Sequence, residues 1–255
     1  MLAIVAAFRE EVSDYLNRWK FHVVDQDDHL RFYYRSRLMP DVVVVQGGPG
    51  RQKAVDATEQ MIDRYNPDFL ISAGFAGSVQ EDIHTGHLFV CDKLLSIEGP
   101  APLWKSDSAH ERFPENVNVI NDLMENTDMH SNEYSFSGCM SVPELVSGSH
   151  MKKWLGSTFP ISIIDMESYW VSEAADSHGI PHVVVRSVFD PLGQTLSSFV
   201  GKVMDYNSKR RWRHVLNHIV KNPTEIPNLI KLTNQAKTAR LSLGRILECL
   251  TQKIT

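Results

Sequence analysis

Cysteine is scarce in this chain: Cys91, Cys139 and Cys249 are scattered through 255 residues, with no Cys-x-x-Cys pair. An odd, dispersed set supplies neither a disulfide framework nor a structural zinc site, and it predicts a reducing, cytoplasmic setting. No apolar run comes near the roughly 20 residues that a membrane span requires. The run Leu2 to Phe8 has no basic region ahead of it and meets Arg9-Glu10-Glu11 at once, so it reads as a buried strand rather than a signal peptide. Neither the dinucleotide fingerprint nor a phosphate loop ending in Lys-Ser/Thr is found, and no cofactor is expected. His84-Thr85-Gly86-His87 offers two imidazoles on a glycine-bearing loop without a third ligand, so no metal is expected either. Ser147-Gly148-Ser149-His150 lacks the nucleophile-elbow pattern of a serine hydrolase. Internal repeats and low-complexity segments are also missing.

What is there suits one large α/β domain. Hydrophobic residues make up 42% of the chain and charged residues 22%, enough for a substantial core. Apolar or extended runs at Leu2–Phe8, Arg31–Arg37, Asp41–Gln46, Phe69–Ala73, Ile161–Ile164 and His182–Val188 alternate with helical periods at Glu10–Lys20 and Arg51–Tyr65. Continuous β-branched strands of this kind belong in a sheet buried on both faces. The expected fold is a central, twisted, mostly parallel sheet flanked by helices, with extra helices at the C-terminus. The polar stretch Glu98–Glu133, with Pro100, Pro102 and Pro114, reads as an excursion carrying one short helix near Asn116–Glu125. A helix is expected over Ser197–Val220, and after Asn222-Pro223 a second from about Ile226 to Leu250. The boundaries follow: a main domain over residues 1–220 and a basic amphipathic helix within 221–255 packed on it.

Charge is unevenly spread. The net charge is −5, yet residues 209–255 carry ten Lys/Arg against two acids, leaving −13 on the remainder. Lys209-Arg210-Arg211-Trp212-Arg213 mixes base with aromatic, but the acidic body argues against an extended nucleic-acid track. The tail reads either as a solvated helix packed on the body or as a face for an anionic surface.

Carboxylates gather where a doubly wound sheet places its ligands, beyond the C-terminal ends of strands. Glu11 follows the first strand, Asp165 and Glu167 follow Ile161–Ile164, and Asp190 ends the run from His182. Gln46-Gly47-Gly48-Pro49-Gly50 and Ser72-Ala73-Gly74-Phe75-Ala76-Gly77 read as glycine turns converging on the same end. Paired carboxyls suit cleavage of a glycosidic bond: one protonates the leaving group while the other activates water on the opposite face. The plainer reading of each acid is a cap on the following helix.

In these motifs the chain resembles the purine nucleoside phosphorylase and nucleosidase superfamily, in particular the methylthioadenosine/S-adenosylhomocysteine nucleosidases. The resemblance rests on Ala7-Phe8-Arg9-Glu10-Glu11-Val12, Gly48-Pro49-Gly50-Arg51, Ser72 to Gly77, Asp165-Met166-Glu167-Ser168, and Val183 to Asp190. It implies that Asp190 protonates the departing purine at N7, that Glu11 holds and activates water, and that Glu167 bonds the ribose hydroxyls. It also implies a substrate pocket formed with Gly74, Phe75, Gly77, Val146, Asp165, Met166, Arg186 and Phe189, and a homodimer. The Gly-Asp-Pro-x-Arg phosphate loop of the phosphorylases is replaced by Ala7-Phe8-Arg9-Glu10-Glu11, which favours water over phosphate, with Arg9 keeping phosphorolysis open. Phe75 and Phe189 stand where the nucleosidases carry smaller, polar residues, so the pocket is more apolar and a non-catalytic nucleoside-binding or membrane-recruitment module stays open beside the enzyme. The tail, with Asp190-Pro191-Leu192-Gly193-Gln194, Asn222-Pro223, Ile226-Pro227 and Ala236-Lys237-Thr238-Ala239-Arg240, is similar to the hopanoid-associated branch. That branch implies an adenosylhopane-like substrate and peripheral contact with the inner membrane. The expected activity is release of adenine from a 5′-substituted adenosine.

Overall fold

A computed structural model of the chain describes residues 1–26, 31–114, 129, 133–193 and 226–254. The order of elements is β1 (Leu2–Ala6), α1 (Arg9–Arg18), β2 (His22–Gln26), β3 (Phe32–Arg35), β4 (Val42–Gln46), α2 (Arg51–Tyr65), β5 (Phe69–Ser78) and β6 (Leu88–Ile97). There follow β7 (Ala109–Arg112), β8 (Tyr134–Ser141), α3 (Ser149–Thr158), β9 (Ile163–Asp165), α4 (Ser168–Ser177), β10 (His182–Asp190) and α5 (Ile226–Ile254). The helices expected near 116–125 and over 197–220 lie outside the described residues.

The strands β4, β1, β5 and β10 run parallel side by side and form the centre of the sheet. Successive side chains of a strand point to opposite faces, and β1 divides its apolar residues accordingly. Leu2, Ile4 and Ala6 meet Val12, Tyr15 and Leu16 of α1 and Leu243, Leu247 and Leu250 of α5. Ala3 and Val5 turn the other way, into a core shared with Ala54, Ala57 and Met61 of α2 and Val171 and Ala175 of α4. Burying one such side chain contributes about 1.5–3 kcal/mol, so this two-faced strand fixes the register of both layers.

At the edges the sheet turns antiparallel. The strands β3 and β2 extend it beyond β4, β6 runs against β10, and β7 runs against β6. The long β5 has two neighbours along one edge: β1 beside its first half, and β9 at Gly77 and Ser78. Since β10 pairs with β5 and β6, β6 with β8, and β8 with β9, five strands close into a ring.

One expectation is corrected here. The segment Ser72 to Gly77 is not a turn, because β5 continues through it to Ser78. Its glycines serve close approach instead: a Cβ on Gly74 would stand 3.1 Å from Glu11 Oε1 and 3.6 Å from the Arg186 guanidinium carbon. The other glycine segment is a true connection, with Gly48 and Gly50 at positive φ (97° and 89°) before α2. Among the described residues no helix is long and apolar enough to cross a membrane.

Candidate active site

The C-terminal ends of β1, β4, β5, β9 and β10 surround a cavity of about 110 Å³. Glu11, Glu167 and Asp190 line it together with Phe75, Gly77, Val146, Asp165, Met166 and Phe189. Gly74 and Arg186 lie directly beneath, around a smaller void of about 10 Å³ that Glu11 and Glu167 also border. The three acids and the eight pocket residues that the resemblance implies therefore come together at one place, while Arg9 does not join them.

Glu11 sits in the first turn of α1 and points back into the cavity. Its Oε2 accepts the Phe8 N–H at 2.8 Å and its Oε1 accepts the Phe75 N–H at 2.9 Å. Burial raises its pKa to about 7, against the lowering effect of those two N–H donors and of Arg186. Glu167 occupies the residue before α4, and its Oε1 accepts the Gly50 N–H across the cavity at 2.8 Å. Burial, with the negative charges of Asp165 and Glu11 nearby, raises its pKa to about 8.

Asp165 plays a different part from its neighbours. Its Oδ1 accepts the Ser141 hydroxyl at 2.7 Å, and its Oδ2 accepts the Ser168 N–H at 3.0 Å, the Ser168 hydroxyl and Arg186 Nε at 2.8 Å. Both oxygens are thus engaged within the protein, and the carboxylate caps α4 while anchoring the guanidinium. Arg186 completes its bonds on the Ser72 carbonyl and hydroxyl, each at 2.9 Å, and on the Val185 carbonyl. Asp165 and Arg186 are a buried framework, bonded through both carboxylate oxygens and all three guanidinium nitrogens, that fixes where β9 and β10 end. The capping reading holds for Asp165 and in part for Glu11, whose Oε2 takes the N–H of Phe8, the residue before α1; Glu167 makes no side-chain cap bond.

Asp190 is buried, and its Oδ2 pairs with the ammonium of Lys152, a side chain wholly removed from solvent on α3. Burial raises the Asp190 carboxyl above its ordinary range, and the Lys152 charge works against that rise. The other oxygen, Oδ1, is buried and has no hydrogen-bond partner among the described residues. The two aromatic rings beside these acids, Phe75 and Phe189, stack with centroids 5.7 Å apart and planes 10° from parallel. Apolar side chains of Pro49, Val142, Leu145, Ile164 and Phe8 complete the walls.

Lys152 escaped the sequence reading. Met151-Lys152-Lys153-Trp154 holds two adjacent lysines, and only helical phase separates them: Lys152 shares the buried face with Leu155, while Lys153 is exposed and bonds Glu81 at 2.8 Å. Arg9, the residue that kept phosphate open, is exposed and bonds Asn17 at 3.4 Å; it does not line the cavity. Among the described residues no cluster of three potential metal ligands is found.

Comparison with known proteins identifies the family. Over 200 residues the chain is 24% identical to a 5′-methylthioadenosine/S-adenosylhomocysteine nucleosidase of Buchnera aphidicola, covering 74% of this chain and 84% of that one. A solved futalosine hydrolase of Helicobacter pylori superposes with a TM-score of 0.71 at 16% identity, over 99% of this chain and 97% of the other. A nucleosidase of Neisseria meningitidis in complex with methylthio-immucillin-A gives 0.69 at 13% identity, covering 98% of each chain. These solved structures share the fold. The family model of the phosphorylase superfamily matches residues 1–220, and the chain belongs to that superfamily.

Proposed function

We propose that the protein is an N-ribosyl hydrolase that releases adenine from a 5′-substituted adenosine, with water as the nucleophile. The observation that carries this reading is the meeting of Glu11, Glu167 and Asp190 around one apolar cavity. Glu11, titrating near neutrality, is matched to the task of a general base that takes a proton from water. Asp190, with Oδ1 unpartnered, supplies the acid for purine N7. Glu167 bonds the ribose hydroxyls, its position set by the Gly50 N–H. Gly77, Val146 and Met166 border the base and sugar, while Phe75 and Phe189 enclose the 5′ side. Gly74 and Arg186 hold Glu11 and the strand ends in place, as Asp165 does from behind.

Water is preferred to phosphate for a specific reason. A phosphate dianion needs cationic or N–H donors, and the two cations found at this site among the described residues are already engaged, Arg186 on Asp165 and Ser72, Lys152 on Asp190. The void of about 10 Å³ beside Glu11 and Glu167 has the size of one water.

The apolar walls favour an apolar 5′ group, and a lipid-linked, adenosylhopane-like nucleoside is the extreme member of that class. Contact with an anionic inner-membrane surface from the cytoplasm, through exposed Lys231 and Lys237 of α5, belongs to the same proposal, as does a homodimer. The test incubates purified protein with adenosines bearing 5′ groups of increasing apolarity, with and without phosphate, and follows free adenine and ribose phosphate. Phosphate-independent release, faster with apolar 5′ groups, is expected. No release from any of them would sink the enzyme reading, and ribose 1-phosphate formation would select phosphorolysis.

A further inference from the structure

We propose that Lys152 is the proton source behind Asp190, so that the acid for the leaving base is a Lys152–Asp190 pair sharing a proton. This inference rests on the hydrolase reading above. Lys152 is wholly buried, contacts Asp190 Oδ2 through Nζ, stands 3.5 Å from the Asp190 carbonyl, and lines the cavity. Asp190 Oδ1 is buried and has no partner among the described residues, leaving one carboxylate oxygen for a ligand while the other holds the ammonium.

An ammonium touching a carboxylate and an amine touching a carboxylic acid contain the same number of protons. Water stabilises the charged form, and exclusion of water narrows the difference, so the proton becomes transferable. In the reaction the Nζ–H bond breaks as Asp190 gains an O–H bond. The carboxyl, protonated at Oδ2, turns about its Cβ–Cγ bond to bring that O–H to the ligand side. The O–H bond then breaks as N7–H forms, and the electron pair of the glycosidic bond moves into the purine. The pair is left as amine and carboxylate and regains a proton from water. Other charged groups facing this pair are Glu11 from α1, Asp165 from β9, and Glu167 before α4. Arg186 on β10 is bonded to Asp165, Lys153 to Glu81, and His84 and His87 flank the end of β10, where Gly86 N–H bonds the Val188 carbonyl.

The experiment measures adenine release from methylthioadenosine across pH 5 to 10 for the full-length protein, K152M and K152R, with folding followed by circular dichroism. If the pair carries the proton, K152M loses about tenfold or more at the alkaline end and progressively less as pH falls, where solvent supplies the proton to Asp190 directly. K152R keeps the ion pair, yet its guanidinium does not surrender a proton, so the alkaline activity stays lost. A K152M profile lowered by one constant factor, or alkaline activity restored in K152R, would overturn the inference. Should K152M fail to fold, K152R alone decides. Absence of release by the unaltered protein at every pH, from methylthioadenosine and from the whole series of 5′-substituted adenosines, would overturn the hydrolase reading and this inference together, whereas release with an unshifted K152M profile overturns this inference only.

Discussion

Two carboxyls in the cavity, Glu11 and Glu167, each accept a main-chain N–H and each titrate near neutrality. Since both pKa values are raised on folding, the native protein binds more protons than the unfolded chain between about pH 4.5 and the native values. The stabilisation is complete at low pH and is lost as pH rises through about 7 for Glu11. A rise from 4.5 to about 7 corresponds to about 3 kcal/mol between the two ends of that window. Thermal unfolding from pH 5 to pH 8 should therefore show stability falling, and Glu11→Gln should flatten that slope while lowering adenine release by about 10²-fold or more. An unchanged slope in the variant would show that Glu11 ionises freely. Glu11 was legible in the sequence because an acid just beyond a first apolar strand is a position with chemical meaning. Lys152 was not, because nothing local distinguishes it from Lys153; only the helix phase against β10 buries one and exposes the other.

Elements follow the same logic of what local sequence can carry. Helix α2 falls on the expected residues Arg51–Tyr65, where an apolar stripe and a preceding Gly-Pro-Gly leave little choice. The strands β6 and β8 were missed. In β6 the run is broken by exposed Asp92 at a bulge between Cys91 and Lys93, and in β8 serines alternate with apolar residues. Strand β2 is exposed throughout, so its pairing comes from β3 and not from any apolar signal of its own. What binds β9 to β10 is the Asp165–Arg186 pair. Removing one member leaves the other charge buried and unpaired, at a cost of about 3–5 kcal/mol. Arg186→Met should show that loss in urea unfolding, together with weaker substrate binding as the Asp165–Glu167 turn loses its anchor. A loss below about 1 kcal/mol would mean the pair is replaceable.

For the whole molecule, the C-terminal helix is the piece whose role changes most once its packing is known. Ala239, Leu243, Ile246, Leu247 and Leu250 are fully buried, and α5 lies against α1 and β10. Its Arg245 is spent on Glu133 at 2.7 and 3.2 Å. Deleting the tail would strip the cover from one face of the sheet, so a membrane test by truncation would report unfolding instead of binding. Charge reversal at exposed positions separates the two. Lys231→Glu with Lys237→Glu should leave the melting temperature within a few degrees of the parent and reduce sedimentation with anionic vesicles severalfold, about 1 kcal/mol for each lysine. Equal sedimentation would refute contact through this face.

The closed ring of β5, β10, β6, β8 and β9 has one more consequence. A strand at an open sheet margin can peel away alone, exchanging its amide protons while the rest of the fold stays intact. None of these five has such freedom, since each is bonded on both sides. In deuterium the amides of Leu70–Ala73 and Val183–Val185 should share one slow rate set by global unfolding, while those of β2 at the far margin exchange early. The walls that hold the carboxyls are then the last part of the molecule to open, and the pocket keeps its shape even in molecules whose periphery is fraying.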